Sequence, residues 1–290
     1  MAKLATLFPM CLLFQETYSH HMYQNRNTRS VFKVIPEATS FKNINKEIGF
    51  AIDVYSFRFG FEIQYIMEKK DQKKSNDIVL SYYDCLVRDS DVALLKGPYW
   101  LDDIIIGFYF EYLGQRFKKR NLKKLLFISP ELTQLLKMTD PSQYDSFLDP
   151  IGVSSSSFIF FPLNNCEKVD APGGSHWSLL IYSKPEKTCF HFDSAHDLNS
   201  SVASKFADSI MTYLLNEDAK KYLEADCPQQ ENGFDCGLFV LCLADIISEH
   251  ILQANKVEGC DCSVALVLAK SKRQRLLELI DMLSTDHECY

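Results

Sequence analysis

Basic residues are in the minority. The 290 residues hold 31 Lys and Arg against 38 Asp and Glu, a formal net charge of −7 with a pI near 5.5. No whole-protein positive field exists to hold nucleic acid or an anionic membrane surface, so neither is an expected partner. The ten cysteines are too sparse for a small secreted disulfide scaffold, and no CxxC occurs, the closest pair being Cys260 and Cys262. That removes the zinc finger and the thioredoxin-type redox site. It points to a reducing compartment, cytoplasm or nucleus, with mostly free thiols. Long apolar runs are missing as well. The opening "MAKLATLFPMCLLF" is broken by Pro9 and too short to cross a bilayer, "QETYSHHMYQ" after it offers no convincing cleavage site, and no later segment reads as a transmembrane helix. Internal repeats and low-complexity runs are absent.

What is present is ordinary for a folded soluble chain, 47% hydrophobic and 24% charged residues, long enough for one large domain with or without an appendage. Residues 1–76 differ from the rest and end in the charged "EKKDQKKSND", which reads as a linker. Just before it, "DVYSFRFGFEIQYIM" alternates with period two, placing Tyr55, Phe57, Phe59, Phe61, Ile63, Tyr65 and Met67 on one face of an expected extra strand.

From Ile78 onward the pattern predicts α+β, a short, mostly antiparallel sheet packed against helices. "WLDDIIIGFYFEYLGQRF" has helical spacing, and "SPELTQLLK" opens a helix with Ser129 as cap and Pro130 at its first position. "SSFIFFPLN", "HWSLLIYS" and "TCFHFDSA" read as strands, and Val202, Phe206, Ile210 and Leu214 form one helical stripe. "GLFVLCLADIISEHI" is apolar on nearly every side, the mark of a central buried helix, and "KRQRLLELIDML" is a further amphipathic one. The basic residues 116–124, "RFKKRNLKK", read as a solvated loop rather than a docking patch.

The stretch "CPQQENGFDCG" sets Cys236 at the seam between turn residues and the buried helix. In the first turn of that helix its sulfur would lie beside unpaired N–H groups and the positive end of the dipole, which predicts a thiol pKa lowered from about 8.5 toward 7 or below. Upstream, a hairpin with its loop at residues 183–186 would set His176 directly opposite Asp193, where the carboxylate holds the imidazole in one tautomer. The glycines of "PGGSH" would leave the strand end uncrowded for a substrate backbone. His191 and His196 flank Asp193, but a metal cluster there would need its third ligand from round a turn, so no metal is expected. Either Gln229 or Gln230 of "PQQ" can return over the helix N-terminus to join the Cys236 N–H as an oxyanion donor.

The order His176-Trp177, Asp193, "PQQ" and "DCG" resembles the sentrin/ubiquitin-like-protein-specific cysteine proteases over residues 77–290. Within that family "VLSYYDCLVRDSDVALL", "WLDDIIIGFYFEYL" and "FISPELTQLLK" are most similar to the deneddylase branch. The resemblance implies a papain-related fold, with His176 as general base and acid, Asp193 as its orienter, Cys236 as nucleophile and Gln230 as oxyanion donor. It also implies that Trp100, Asp103 and Trp177 bound a narrow channel for a modifier tail ending in Gly-Gly. The implied substrates are the neddylation modifier and its conjugates, cullins among them, with no cofactor. Residues 1–76 become an extension of unknown role, and the loop "NNCEKVDAPGG" departs from the pattern. A SUMO-directed protease, a non-catalytic module binding ubiquitin-like proteins, and an acyltransferase of related fold are the competing readings.

Overall fold

The computed structural model describes residues 76–120, 122, 124–168, 173–215 and 221–287. The expected extension, with its period-two stretch, lies outside the described residues apart from Asn76. The chain runs through a hairpin of β1 (Ile78–Tyr82) and β2 (Cys85–Arg88), then α1 (Asp89–Leu94), α2 (Asp103–Lys119), β3 (Leu125–Phe127), α3 (Pro130–Met138) and α4 (Asp145–Leu148). It continues through β4 (Phe158–Asn164), β5 (Trp177–Ser183), β6 (Thr188–Phe192), α5 (Ser200–Leu215), β7 (Lys221–Glu224), α6 (Cys236–Ala254) and α7 (Ala265–His287).

Local chemistry sets the helix starts. Asp102 caps α2 by accepting the Ile105 N–H at 3.0 Å, and Ser129 caps α3 by accepting the Leu132 N–H at 3.2 Å with Pro130 in the first turn. Both close a donor that a helix start leaves unpaired.

The main sheet has the order β3-β4-β5-β6-β7. Its three central strands are antiparallel, and each edge strand joins in parallel. Both faces are covered, which is why β4 to β6 read as nearly continuous apolar runs rather than as alternating ones. Phe158, Phe160, Leu179, Ile181, Phe190 and Phe192 pack with the buried faces of α2, α6 and α7. Ile159, Phe161, Leu163, Leu180, Tyr182 and Cys189 pack on the other side with α3, α4 and α5.

Two expectations need correction. The β5–β6 register pairs Ser183 with Thr188 and Leu179 with Phe192, so the loop is 184–187 and Ser178, not His176, stands opposite Asp193. The Lys187 N–H closes the 184–187 turn on Lys184 O at 3.3 Å, and the Glu186 carboxylate within it accepts the Val257 and Glu258 N–H groups at 2.7 and 3.0 Å. Lys187 closes the loop with a left-handed φ of 49°. His176 still shares a face with Asp193, because the register shifts by an even number of residues, and it reaches the carboxylate diagonally. The second correction concerns α6, a helix of 19 residues that is long and apolar enough, by length and composition, to cross a membrane. That apolarity is absorbed by the core: twelve residues from Cys236 to Ile251 are buried.

Gly237 shows how closely α6 is seated. A Cβ added there would lie 2.9 Å from the Leu101 Cβ. Alanine normally gains about 1 kcal/mol over glycine in a helix, but overpacking a filled site costs about 1–3 kcal/mol. Gly237→Ala is therefore expected to lower the thermal midpoint; an unchanged or higher midpoint would show that Leu101 yields freely.

Candidate active site

The first residue of α6 is Cys236, 2% exposed, with the buried side of α6 behind it and an unpaired turn of backbone N–H groups at its end. Just before β5, His176 is 3% exposed, and its Nε2 lies 2.5 Å from Asp193 Oδ1. The other ring nitrogen is not taken by Asp193, and Cys236 stands close enough to contribute to the electrostatics of the imidazole. Burial alone would depress the His176 pKa; the Asp193 hydrogen bond, and after it the contact with Cys236, outweigh burial and raise it to about 9. Asp193 shows the converse. Burial pushes its carboxyl up, while His176 and the N–H groups of Asn199 and Ala195 hold it below the ordinary value. Those N–H groups donate to Oδ2 at 2.9 Å and Oδ1 at 3.0 Å.

The two glutamines have different tasks. Gln229 donates from Nε2 to the carbonyls of Asp193 and Cys227, at 3.0 and 2.8 Å, and accepts the His196 N–H at 2.6 Å. Its amide is saturated as a clamp on the strand end. The Gln230 carbonyl oxygen is fixed by Ser194 Oγ at 2.8 Å, and its Nε2 donates to Asn232 O at 2.6 Å. An amide NH2 carries two donors, so one remains.

Both tryptophans are tied down. Trp100, 36% exposed, donates from Nε1 to Gly233 O at 2.6 Å, three residues before Cys236, and Trp177 donates to Leu101 O at 3.1 Å. Asp103 opens α2 within an acidic group of Asp91, Asp102, Asp103 and Glu131. Burial first, and like charge second, raise the carboxyls of Asp102 and Asp103, and that of Glu131 up to about 7.

The glycines before His176 are packed against the protein's own side chains, Gly173 against Cys166 and Gly174 against Asn164. Gly174 has a φ of +88°, and the space where its Cβ would stand is taken by Asn164. Asn165 Oδ1 then accepts the Ser175 and His176 N–H groups at 2.7 and 3.2 Å. Residues 169–172 of the preceding loop lie outside the described residues. His191 faces inward to Glu224 and Ser178, away from His196, and among the described residues no metal-holding group of His, Cys, Asp or Glu occurs. Of the basic residues 116–124, Arg116 to Lys119 form the last turn of α2 rather than a loop, and the largely exposed Arg116 and Arg120 lie 2.9 and 3.6 Å from Glu249 on α6.

Sequence reading missed Arg273. From α7 its guanidinium donates to Leu94 O at 2.8 Å, Tyr99 O at 2.7 Å and Asp235 Oδ1 at 2.9 Å. It joins the segment before Trp100 to the residue before Cys236, while Asn232 holds Asp235 from the other side at 2.8 Å. No periodicity or motif announces such a convergence. Arg273→Met should lower kcat on an amide substrate about tenfold with the fold retained, because displacement of a reacting group by a fraction of an ångström is felt in the rate. Parental kcat in the folded variant would remove Arg273 from the account.

Comparison with known proteins agrees with this geometry. Residues 99–276 match the family model described as the Ulp1 protease family, C-terminal catalytic domain. Sentrin-specific protease 8 of Mus musculus is 35% identical over 213 residues, covering 73% of this chain and 96% of that protein. NEDD8-specific protease 1 of Arabidopsis thaliana is 33% identical over 176 residues, covering 60% of this chain and 76% of that protein. In fold, the chain is similar to the C-terminal Ulp1 protease domain solved with Smt3, the yeast ortholog of SUMO, with a TM-score of 0.56 at 20% identity over 75% of this chain and 92% of that one. The resemblance read from separated motifs is borne out, and the chain belongs to the Ulp1 protease family, a family of cysteine peptidases.

Proposed function

We propose that this peptidase cleaves after the C-terminal Gly-Gly of a ubiquitin-like modifier, with the neddylation modifier preferred over SUMO and ubiquitin. The observation that carries this reading is the buried His176–Asp193 pair facing the residue that opens α6, Cys236. The named relatives support the choice of modifier.

In this mechanism the Cys236 sulfur, as thiolate, attacks the carbonyl carbon of the final glycine. Negative charge develops on the carbonyl oxygen at the helix N-terminus, where the Cys236 N–H and the remaining Gln230 N–H are assigned as its donors. Gln230 is assigned this task because Gln229 has no donor left. The C–N bond then breaks as the His176 imidazolium gives its proton to the departing lysine amine or peptide nitrogen. A His176 pKa near 9 keeps that proton available at neutral pH. Neutral His176 next takes a proton from water, which attacks the thioester; the C–S bond breaks to return the thiolate beside the imidazolium, and the modifier leaves as a carboxylic acid that gives its proton to solvent. No cofactor enters.

Trp100 and Trp177 are assigned as walls of the tail channel, which only residues without side chains could thread. Asp103 is assigned with them as a boundary of that channel. Neddylated proteins, cullins among them, and modifier precursors are the proposed substrates, in cytoplasm or nucleus, with residues 77–290 as the protease domain.

The test is a panel of amide-linked fusions of the neddylation modifier, SUMO and ubiquitin. Cleavage of the first at a kcat/KM at least about a hundredfold above the others, a specificity difference of about 3 kcal/mol, is expected. Preference for SUMO would overturn the substrate while leaving the chemistry.

A further inference from the structure

Behind Asp193 lies a second set of polar side chains that the cleavage mechanism does not use. His191 is fully buried, its Nδ1 2.6 Å from Glu224 Oε2 and its Nε2 2.9 Å from Ser178 Oγ. Asn199, also fully buried, donates from Nδ2 to Leu163 O at 3.1 Å and to Ser178 Oγ at 2.9 Å, while its backbone N–H donates to Asp193 Oδ2 at 2.9 Å.

The proton positions in this set follow from one fixed point. Leu163 O can only accept, so the nitrogen end of the Asn199 amide faces it, and Ser178 Oγ accepts from that same nitrogen. The Ser178 proton is then donated to His191 Nε2. The His191 proton therefore sits on Nδ1 and is donated to the Glu224 carboxylate. Tyr222 also donates to Glu224, from the adjacent end of β7.

A carboxylate, an imidazole and a hydroxyl in line are the parts of a hydrolytic triad. Hydrolysis is excluded here because Ser178 is 1% and His191 0% exposed, and the hydroxyl's neighbours are the Asn199 amide and the imidazole. What the set can do is hold Asn199, and Asn199 holds the carboxylate oxygen that His176 does not bind. Ser178 is also the residue the observed register places opposite Asp193, which sets it beside the catalytic pair.

We infer that Glu224, His191 and Ser178 form a positioning relay, buried at His191 and Ser178, that fixes Asn199 and, through it, the orientation of Asp193 behind His176. These are positioning residues, since none touches substrate or sulfur. The inference rests on the proposed assignment of Asp193 and His176 to catalysis. Glu224, at 37% side-chain exposure, is the end of the relay nearest solvent, so it can be altered without opening the core.

Three variants test it: Ser178→Ala, Glu224→Leu and Glu224→Gln, the last keeping an oxygen acceptor for His191 while removing the charge. With the preferred modifier–amide substrate, Ser178→Ala and Glu224→Leu are expected to lose about tenfold in kcat, with KM unchanged. Glu224→Gln should stay close to parent. Titration of the His176 ring protons by NMR, which needs no substrate, should move to lower pH in the first two variants and remain near the parental value in Glu224→Gln. Parental kcat and parental His176 titration in folded Ser178→Ala and Glu224→Leu would overturn the relay. Equal losses in Glu224→Gln and Glu224→Leu would also overturn it, because charge and not alignment would be responsible. Unfolding of both Ser178→Ala and Glu224→Leu would make the set a folding element and overturn it too. A parent protein that cleaves no modifier would instead defeat the cleavage reading, with the titration still deciding the relay.

Discussion

Cys236→Ala is expected to remove cleavage almost completely, with kcat falling by roughly 10⁵–10⁶-fold as it does when a nucleophile acting as part of a unit is deleted. Cys236 is 2% exposed and opens α6, so truncation removes the sulfur and leaves Trp100 on Gly233 and Trp177 on Leu101. Affinity for the modifier should survive, because the tail and the body of the modifier would be held elsewhere. Calorimetric titration of Cys236→Ala with the neddylation modifier, beside a cleavage time course, separates the two. Loss of both binding and cleavage would mean that Cys236 shapes the site, and retained cleavage would place the nucleophile elsewhere.

The second large effect belongs to Asp193. Asparagine there keeps the volume but exchanges an acceptor for an amide that must serve His176 Nε2 and two backbone N–H groups at once. The imidazole would lose its tautomer and its counter-charge, and kcat should fall by about 10³–10⁴-fold, the cost of a misdirected imidazole in a triad. The pH dependence has a definite sign. His176 titrates at about 9 in the folded protein, above the ordinary histidine value of about 6.5. The proton given to the leaving amine is therefore present at neutral pH and lost near 9, which sets the alkaline limb of the kcat profile. In Asp193→Asn burial is opposed only by Cys236, so that limb should move down by at least one pH unit, measured from kcat between pH 5 and 10. An unmoved limb would mean another group sets it. The same pair contributes stability. The His176 part is fully present below about pH 6.5 and lost as pH rises through about 9; the Asp193 part is present above about pH 4 and lost on acidification.

Much of this arrangement is legible in the chain because it is local. Ser129 and Pro130 announce α3, the stripe of Val202, Phe206 and Ile210 announces α5, and the unbroken apolarity after Cys236 announces a helix surrounded by core. Where the reading slipped, a distant residue had intervened. The observed β5–β6 loop is held by Glu186 at the backbone of Val257 and Glu258, a contact that nothing within "YSKPEKT" reveals. β7 is only "KYLE", too short for periodicity to show, and is a strand by virtue of pairing with β6. The same apolarity that marked α6 as buried also satisfies the length and composition of a membrane span, and only packing distinguishes the two.

The site divides in the same way. His176, Asp193 and Cys236 stand out through the elements they terminate or begin, and the structure brings them together. Gln229 and Gln230 are chemically identical neighbours until their partners are known, when Gln229 proves to be the clamp. Arg273 and Asn199 carry no signal in sequence, because each is a common polar residue whose meaning comes from three or more partners scattered along the chain.

The central claim is that Cys236 forms a thioester with the last glycine of a ubiquitin-like modifier. Intact-mass spectrometry after exposure to modifiers carrying a thiol-reactive group at the C-terminal glycine tests it most directly. The account predicts a single covalent adduct with the neddylation modifier, little with SUMO or ubiquitin, and none with Cys236→Ala. Folded protein that forms no adduct with any of the three, or an adduct that persists in Cys236→Ala, would contradict it.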